Sequence, residues 1–205
     1  MSPVPILMYE NGRAIEPDKI SNEIIKFGDS YNNVVKEIIG KSRELDRDGK
    51  LFIECASRLL SNFKMTRRGP FHVTTLDENL RRCWNEVGAD LLEINKSVLN
   101  SGLSRDRYLL ELNNKAREEL IAKIWIITKR LLPITMSKTS YGLVGASKIL
   151  FSVFPEIALP VDNAEWLQVF QTVDFGDVLR FMVSDIQKWE ESTGRRLNEL
   201  ERDSL

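Results

Sequence analysis

Apolar positions recur at helical spacing along most of the chain. Leu51, Phe52, Cys55, Leu59, Leu60 and Phe63 make one face, which predicts a helix opened by Asp48 or Gly49. Leu76, Leu80, Cys83, Trp84 and Val87 make another, continued by Leu91, Leu92, Ile94 and Val98. That helix is expected to be capped by Thr74 or Thr75, with Glu78 set for a capping box from Thr75 and Gly88 a point of bending. Upstream, Pro17 suits a first turn before Ile20, Ile24, Ile25 and Phe27, and Gly28-Asp29-Ser30 breaks the pattern. Val34, Val35, Ile38 and Ile39 form a short stripe ended by Gly40. Ser104 is expected to cap the longest helix, which Pro133 stops. Its stripe runs through Leu109, Leu112, Ala116, Leu120, Ile124, Ile127 and Leu131, widened by Ile121, Trp125 and Leu132, and so predicts a central helix touched by several others. After the polar loop 134–141, residues 142–154 are apolar nearly all round, as in a buried helix. A short helix over 163–171 follows, then a last one over 175–193 burying Val178, Leu179, Phe181, Met182, Ile186 and Trp189.

Strand material is confined to residues 4–15, where Asn11-Gly12 is a tight-turn signal between short apolar arms. A small hairpin and a structureless arm both satisfy that stretch. No repeat, low-complexity tract or linker interrupts the helical patterns. The expected fold is all-α, an irregular helical bundle in a single domain spanning 1–205, with an N-terminal part to residue 103 and a second part from 104.

Composition narrows the function classes. The 205 residues are 42% hydrophobic and 29% charged, enough to bury a core under a solvated surface. Net charge is −1, from 29 basic and 30 acidic residues, which argues against a polybasic binder but leaves room for a local basic face. The two cysteines, Cys55 and Cys83, fall in helical patterns and read as buried thiols of a cytoplasmic protein. No stretch approaches the roughly 18 apolar residues of a membrane span, and the N-terminus lacks a basic n-region, so no membrane partner is expected. His72 is the one histidine, and CxxC and HExxH are missing, so no metal is expected. Neither GxxxxGK[ST] nor GxGxxG occurs, so no nucleotide cofactor is expected, and Ser57 and Ser61 lack a nucleophile elbow.

The segment with candidate chemistry is 141–166, YGLVGASKILFSVFPEIALPVDNAEW. Gly142 and Gly145 precede an apolar helix, where glycines let backbone approach either a phosphate or a neighbouring helix. Lys148 places an ammonium in an apolar stretch, which needs water, an anion or a carboxylate; a snorkelling lysine is the plain alternative. Pro155 and Pro160 stiffen the route to Asp162, which with Glu165 fits a helix N-cap and capping box. Lys64, Arg67 and Arg68, with Phe71 and His72, make a basic loop able to meet a phosphate backbone with a base stacked on Phe71, or simply to be solvated. Trp84, Trp125, Trp166 and Trp189 read as core.

The order of glycine turn, lysine-bearing apolar helix, proline-bracketed loop and aspartate resembles the helix-hairpin-helix DNA glycosylase superfamily. Ala158-Leu-Pro-Val-Asp-Asn-Ala-Glu-Trp166 is similar to the stretch around the catalytic aspartate of 8-oxoguanine glycosylases. The segment also resembles uncharacterised microbial helical proteins distantly similar to that fold. The glycosylase resemblance covers the second half of the chain. It implies a helix-hairpin-helix glycosylase fold, duplex DNA as partner and base excision as the activity. Asp162 and Lys148 would be the catalytic pair, and Gly142, Gly145, Lys138, Arg67 and Arg68 the DNA contacts. The alternative is a catalytically inert helical protein-interaction module with a partner the sequence does not name.

Overall fold

The computed structural model describes residues 8–9, 13–14, 37–38, 41, 44–137, 142–161 and 170–196. The helices expected after Pro17 and over 163–171 therefore lie wholly or almost wholly outside the described residues, as do Lys138, Asp162 and Trp166. The fold is all-α. At the N-terminus, Met8–Tyr9 (β1) and Arg13–Ala14 (β2) pair antiparallel, Met8 opposite Ala14 and Tyr9 opposite Arg13, so the hairpin is the alternative adopted.

Helix α1, Lys50–Asn62, opens at Gly49, but the capping carboxylate comes from further back. Asp46 accepts from the amides of Lys50 and Leu51, each at 3.0 Å, which satisfies two of the orphan donors at the helix start. Helix α2, Leu76–Asn100, is the longest at 25 residues and runs unbroken through Gly88. Gly88 makes room for a neighbour: a Cβ there would lie 2.8 Å from the Trp84 indole. One at Gly49 would lie 2.5 Å from the same ring, so two glycines flank Trp84, whose Nε1 donates to the Arg47 carbonyl at 3.3 Å. The capping box expected from Thr75 is not formed. Its hydroxyl turns back onto the loop, donating to the carbonyls of Pro70 and His72.

The single helix expected from Ser104 to Leu132 is broken in two. A 3-10 turn at Arg105–Arg107 leads into the four-residue α3, Tyr108–Glu111; the chain then turns extended at Leu112, and α4 runs Asn114–Thr135. The break is stabilised locally. Asn113 caps α4 by accepting from the Ala116 amide at 3.0 Å, and the Arg117 guanidinium donates to the carbonyls of Leu109, Leu110 and Leu112. Pro133 does not stop α4 where expected. The helix continues to Thr135, because Pro133 forfeits only its own N–H bond and the Met136 amide still donates to the Leu132 carbonyl at 2.9 Å.

Helix α5, Leu143–Phe151, and helix α6, Phe175–Thr193, complete the bundle. Asp174 caps α6 through the amides of Gly176 and Asp177. Helix α4 is central, packed against α2, α5 and α6, while α1 packs on α2 and α5. Phe52, Phe71, Phe154 and Phe175 are fully buried in the shared core. Burying each side chain of that size stabilises by about 2–3 kcal/mol. One inward assignment on α6 was wrong: Phe181 is 47% exposed and stacks on Phe170 at 6.2 Å, while Val183 takes the buried position.

Candidate nucleic-acid interface

Helices α4 and α5 pack against each other, and the glycines of the 142–145 pattern lie at their contact. The Thr135 hydroxyl at the end of α4 donates to the Gly142 carbonyl at 2.7 Å, drawing the start of α5 against the end of α4. Gly142 has φ 84, and a Cβ on it would meet Thr135 Oγ1 at 2.8 Å and the Leu132 carbonyl at 2.9 Å. A Cβ on Gly145 would come 2.9 Å from Phe71 Cε2 and 3.0 Å from Thr135 Cβ. Both glycines thus serve close packing of α5 on α4 and on the loop that carries Phe71.

That loop is the basic one. Two 3-10 turns, Met65–Arg67 and Gly69–Phe71, are closed by the Val73 amide donating to the Thr66 carbonyl and by Asn79 Nδ2 donating to the Pro70 carbonyl. Phe71 points inward and is 1% exposed, so it anchors the loop to Gly145 and offers no stacking face. Lys64, Arg67 and Arg68 are exposed, and no ion pair among the described residues engages them. Lys64 adopts φ 58 at the end of α1, a left-handed conformation that costs a lysine roughly 1 kcal/mol. The structure joins the basic loop to α5 through Phe71 and Gly145, while Gly142 and Gly145 are themselves buried and Arg67 and Arg68 are exposed.

Lys148 lies one turn beyond Gly145 on α5. It is 4% exposed on a helix buried from Leu143 to Leu150, with its ammonium 4.3 Å from the centroid of the Phe63 ring. Val161, the residue before Asp162, is tied to α5. Ser147 Oγ accepts from the Val161 amide at 3.1 Å. Arg105 pairs with Glu156 at 2.8 Å, both largely buried, and donates to the Val153 carbonyl at 3.1 Å. No sequence spacing pointed to Arg105, 51 positions from its partner.

The sequence also gave no sign of an open cleft of about 560 Å³ between α2 and α4, lined by Arg82, Asn85, Glu86, Arg130, Pro133 and Ile134. Its walls are the solvent-side positions of two helices, which helical periodicity treats as background. Among the described residues, no group of three or more His, Cys, Asp or Glu is arranged to hold a metal ion, and no helix is long and apolar enough to cross a membrane. Comparison with known proteins gives no match: no family model, curated protein or solved structure is significantly similar to this chain.

Proposed function

We propose that this chain is a DNA-binding protein whose contact surface is the basic loop 64–72 set against the α4–α5 hairpin. One contrast carries the reading. Among the described residues, six other arginines are paired with carboxylates: Arg58 with Glu37, Arg81 with Asp77, Arg105 with Glu156, Arg107 with Glu111 and Glu190, Arg130 with Glu86 and Asp90, and Arg180 with Glu118 and Asp177. Lys64, Arg67 and Arg68 stand together with no carboxylate between residues 64 and 76, on a loop pinned to the hairpin by Phe71. The left-handed Lys64 supports it too, since glycine would take that conformation without strain and lacks only the charge.

The reading does not extend to excision through Lys148. To reach a sugar carbon, its ammonium would have to leave the Phe63 ring, and α5 would have to part from its neighbours. Binding without lysine-dependent chemistry is the form this geometry favours. A cytoplasmic setting accords with Cys55 and Cys83, which are both free and buried.

Fluorescence anisotropy on a labelled blunt duplex of about twenty base pairs tests the proposal. Three phosphate contacts give a log–log salt slope of about −2.7, and Arg67→Ala with Arg68→Ala should flatten it by about 1.8. No anisotropy change at about 50 mM salt, or an unaltered slope in the double variant, would refute it.

A further inference from the structure

We propose that the cleft between α2 and α4 seats one unpaired nucleotide, so that the preferred partner is DNA with a single-stranded end rather than a blunt duplex. The inference rests on the DNA-binding reading and names the substrate class for it.

The cleft, about 560 Å³ and open to solvent, has room for a nucleotide. Its chemistry is mixed in the way a nucleotide requires. Pro133 and Ile134 supply an apolar wall for a base, and the exposed Asn85 amide can both donate to and accept from a base edge. Arg130 is occupied: it pairs with Glu86 and Asp90 and also donates to the Glu86 carbonyl. Arg82 differs. Among the described residues its one partner is Asn79 Oδ1, at 3.0 Å, which leaves most of the guanidinium's N–H donors for an anion. Arg130, held by two carboxylates, offers nothing further to an anion, so the phosphate contact falls to the spare donors of Arg82.

Asn79 joins the cleft to the basic loop. Its Nδ2 donates to the Pro70 carbonyl at 2.5 Å while its Oδ1 holds Arg82, so one side chain sets the position of the cleft cation relative to Arg67 and Arg68. A strand whose duplex phosphates lie on the loop has its next unpaired phosphate within the reach of Arg82 and its base against Ile134.

The test is an anisotropy comparison of a blunt duplex with the same duplex carrying a three-nucleotide overhang. The wild type should bind the overhang about tenfold more tightly, the worth of one base contact and one phosphate. Arg82→Ala, and Asn85→Trp, which fills the cleft from an exposed position, should each bring the ratio close to one with thermal melting unchanged. Arg67→Ala with Arg68→Ala should weaken both ligands by the same factor. Equal wild-type affinities would overturn this inference and leave duplex binding standing. Binding of neither ligand would overturn both. A ratio that survives Asn85→Trp would place the overhang outside the cleft and overturn the assignment.

Discussion

Replacing Gly145 by alanine separates the two uses a glycine can have at the start of α5. If it exists to admit a phosphate, a methyl group harms binding and leaves stability alone. If it exists for packing, stability suffers. The added Cβ would lie 2.9 Å from Phe71 Cε2 and 3.0 Å from Thr135 Cβ, against about 3.5–4.0 Å for carbon atoms in comfortable contact. Neither neighbour has an easy retreat: both are buried, and the Thr135 hydroxyl is held by the Gly142 carbonyl. Overpacking of this kind costs about 1–3 kcal/mol. Alanine regains up to about 1 kcal/mol over glycine inside a helix. The net expectation is a loss of about 1–2 kcal/mol, or a melting temperature lower by about 2–8 °C in a chain of this size. Urea unfolding followed by circular dichroism reads it as a lower midpoint at unchanged slope. Gly69→Ala is the control, with φ 78 and nothing within 4 Å of its Cβ, so only backbone strain of roughly 1 kcal/mol applies. A Gly145→Ala protein as stable as the wild type would show that the helix gain wins and that the close packing argued here is wrong.

Three further outcomes follow from buried polar groups. Burial pushes the Asp185 carboxyl up to about 6, with Lys188 pulling the other way. The folded chain therefore holds that proton more tightly than the unfolded one and loses stability as pH rises from about 4 to about 6. Asp185→Asn should remove that slope and add about 1 kcal/mol near pH 8 once solvent screening is allowed for; an unchanged pH profile of the urea midpoint counts against it. Burial also raises the thiols, Cys55 to about 11 and Cys83 to about 12, so an aromatic disulfide reagent at about pH 8 should label neither in the native protein and both in urea. Labelling of the folded chain within minutes would contradict that. Finally, Arg107 joins α3 to α6 through Glu190 at 2.7 and 2.9 Å and also holds Glu111 at 2.8 Å. Arg107→Ala should cost about 3 kcal/mol in urea unfolding, and a loss under about 1 kcal/mol would show the pair to be dispensable.

Helical periodicity carried the architecture because apolar burial is what it records. The last helix falls on 175–193 as its pattern indicates, and α5 is buried on every side. The failures share a cause. Thr75 and Ser104 were read from local propensity, whereas Pro70 and Arg117 decide what happens at those points. Arg117 matters most, because a guanidinium reaching three carbonyls of the preceding turn stabilises a helix break that no apolar spacing reveals. In the candidate interface the glycine pair was visible, but its partners were not. Phe71, far from Gly145 in sequence, reads as an exposed aromatic beside two arginines until the fold turns it inward. The Arg82 cleft lies at positions that periodicity assigns to solvent, so only tertiary contact between α2 and α4 defines it.

The source of binding energy also follows from that packing. A hairpin that presents bare backbone amides to a phosphate donates hydrogen bonds without adding a cation, and its affinity depends only weakly on salt. Here Gly142 and Gly145 are spent on Thr135 and Phe71, so affinity has to come from side-chain charge. Under the proposed DNA binding, Lys64, Arg67 and Arg68 would account for three phosphates, and Arg82 would add a fourth when a strand enters the cleft. Four contacts at about −0.9 each give a slope near −3.6, so affinity for an overhang duplex falls by about 150-fold between 50 and 200 mM salt. Three contacts give about −2.7 and a fall of about 40-fold for the blunt duplex. The preference for the overhang should therefore shrink by about fourfold over that range. A preference that holds constant with salt would mean that the cleft contact is uncharged, and Arg82 would lose the role assigned to it.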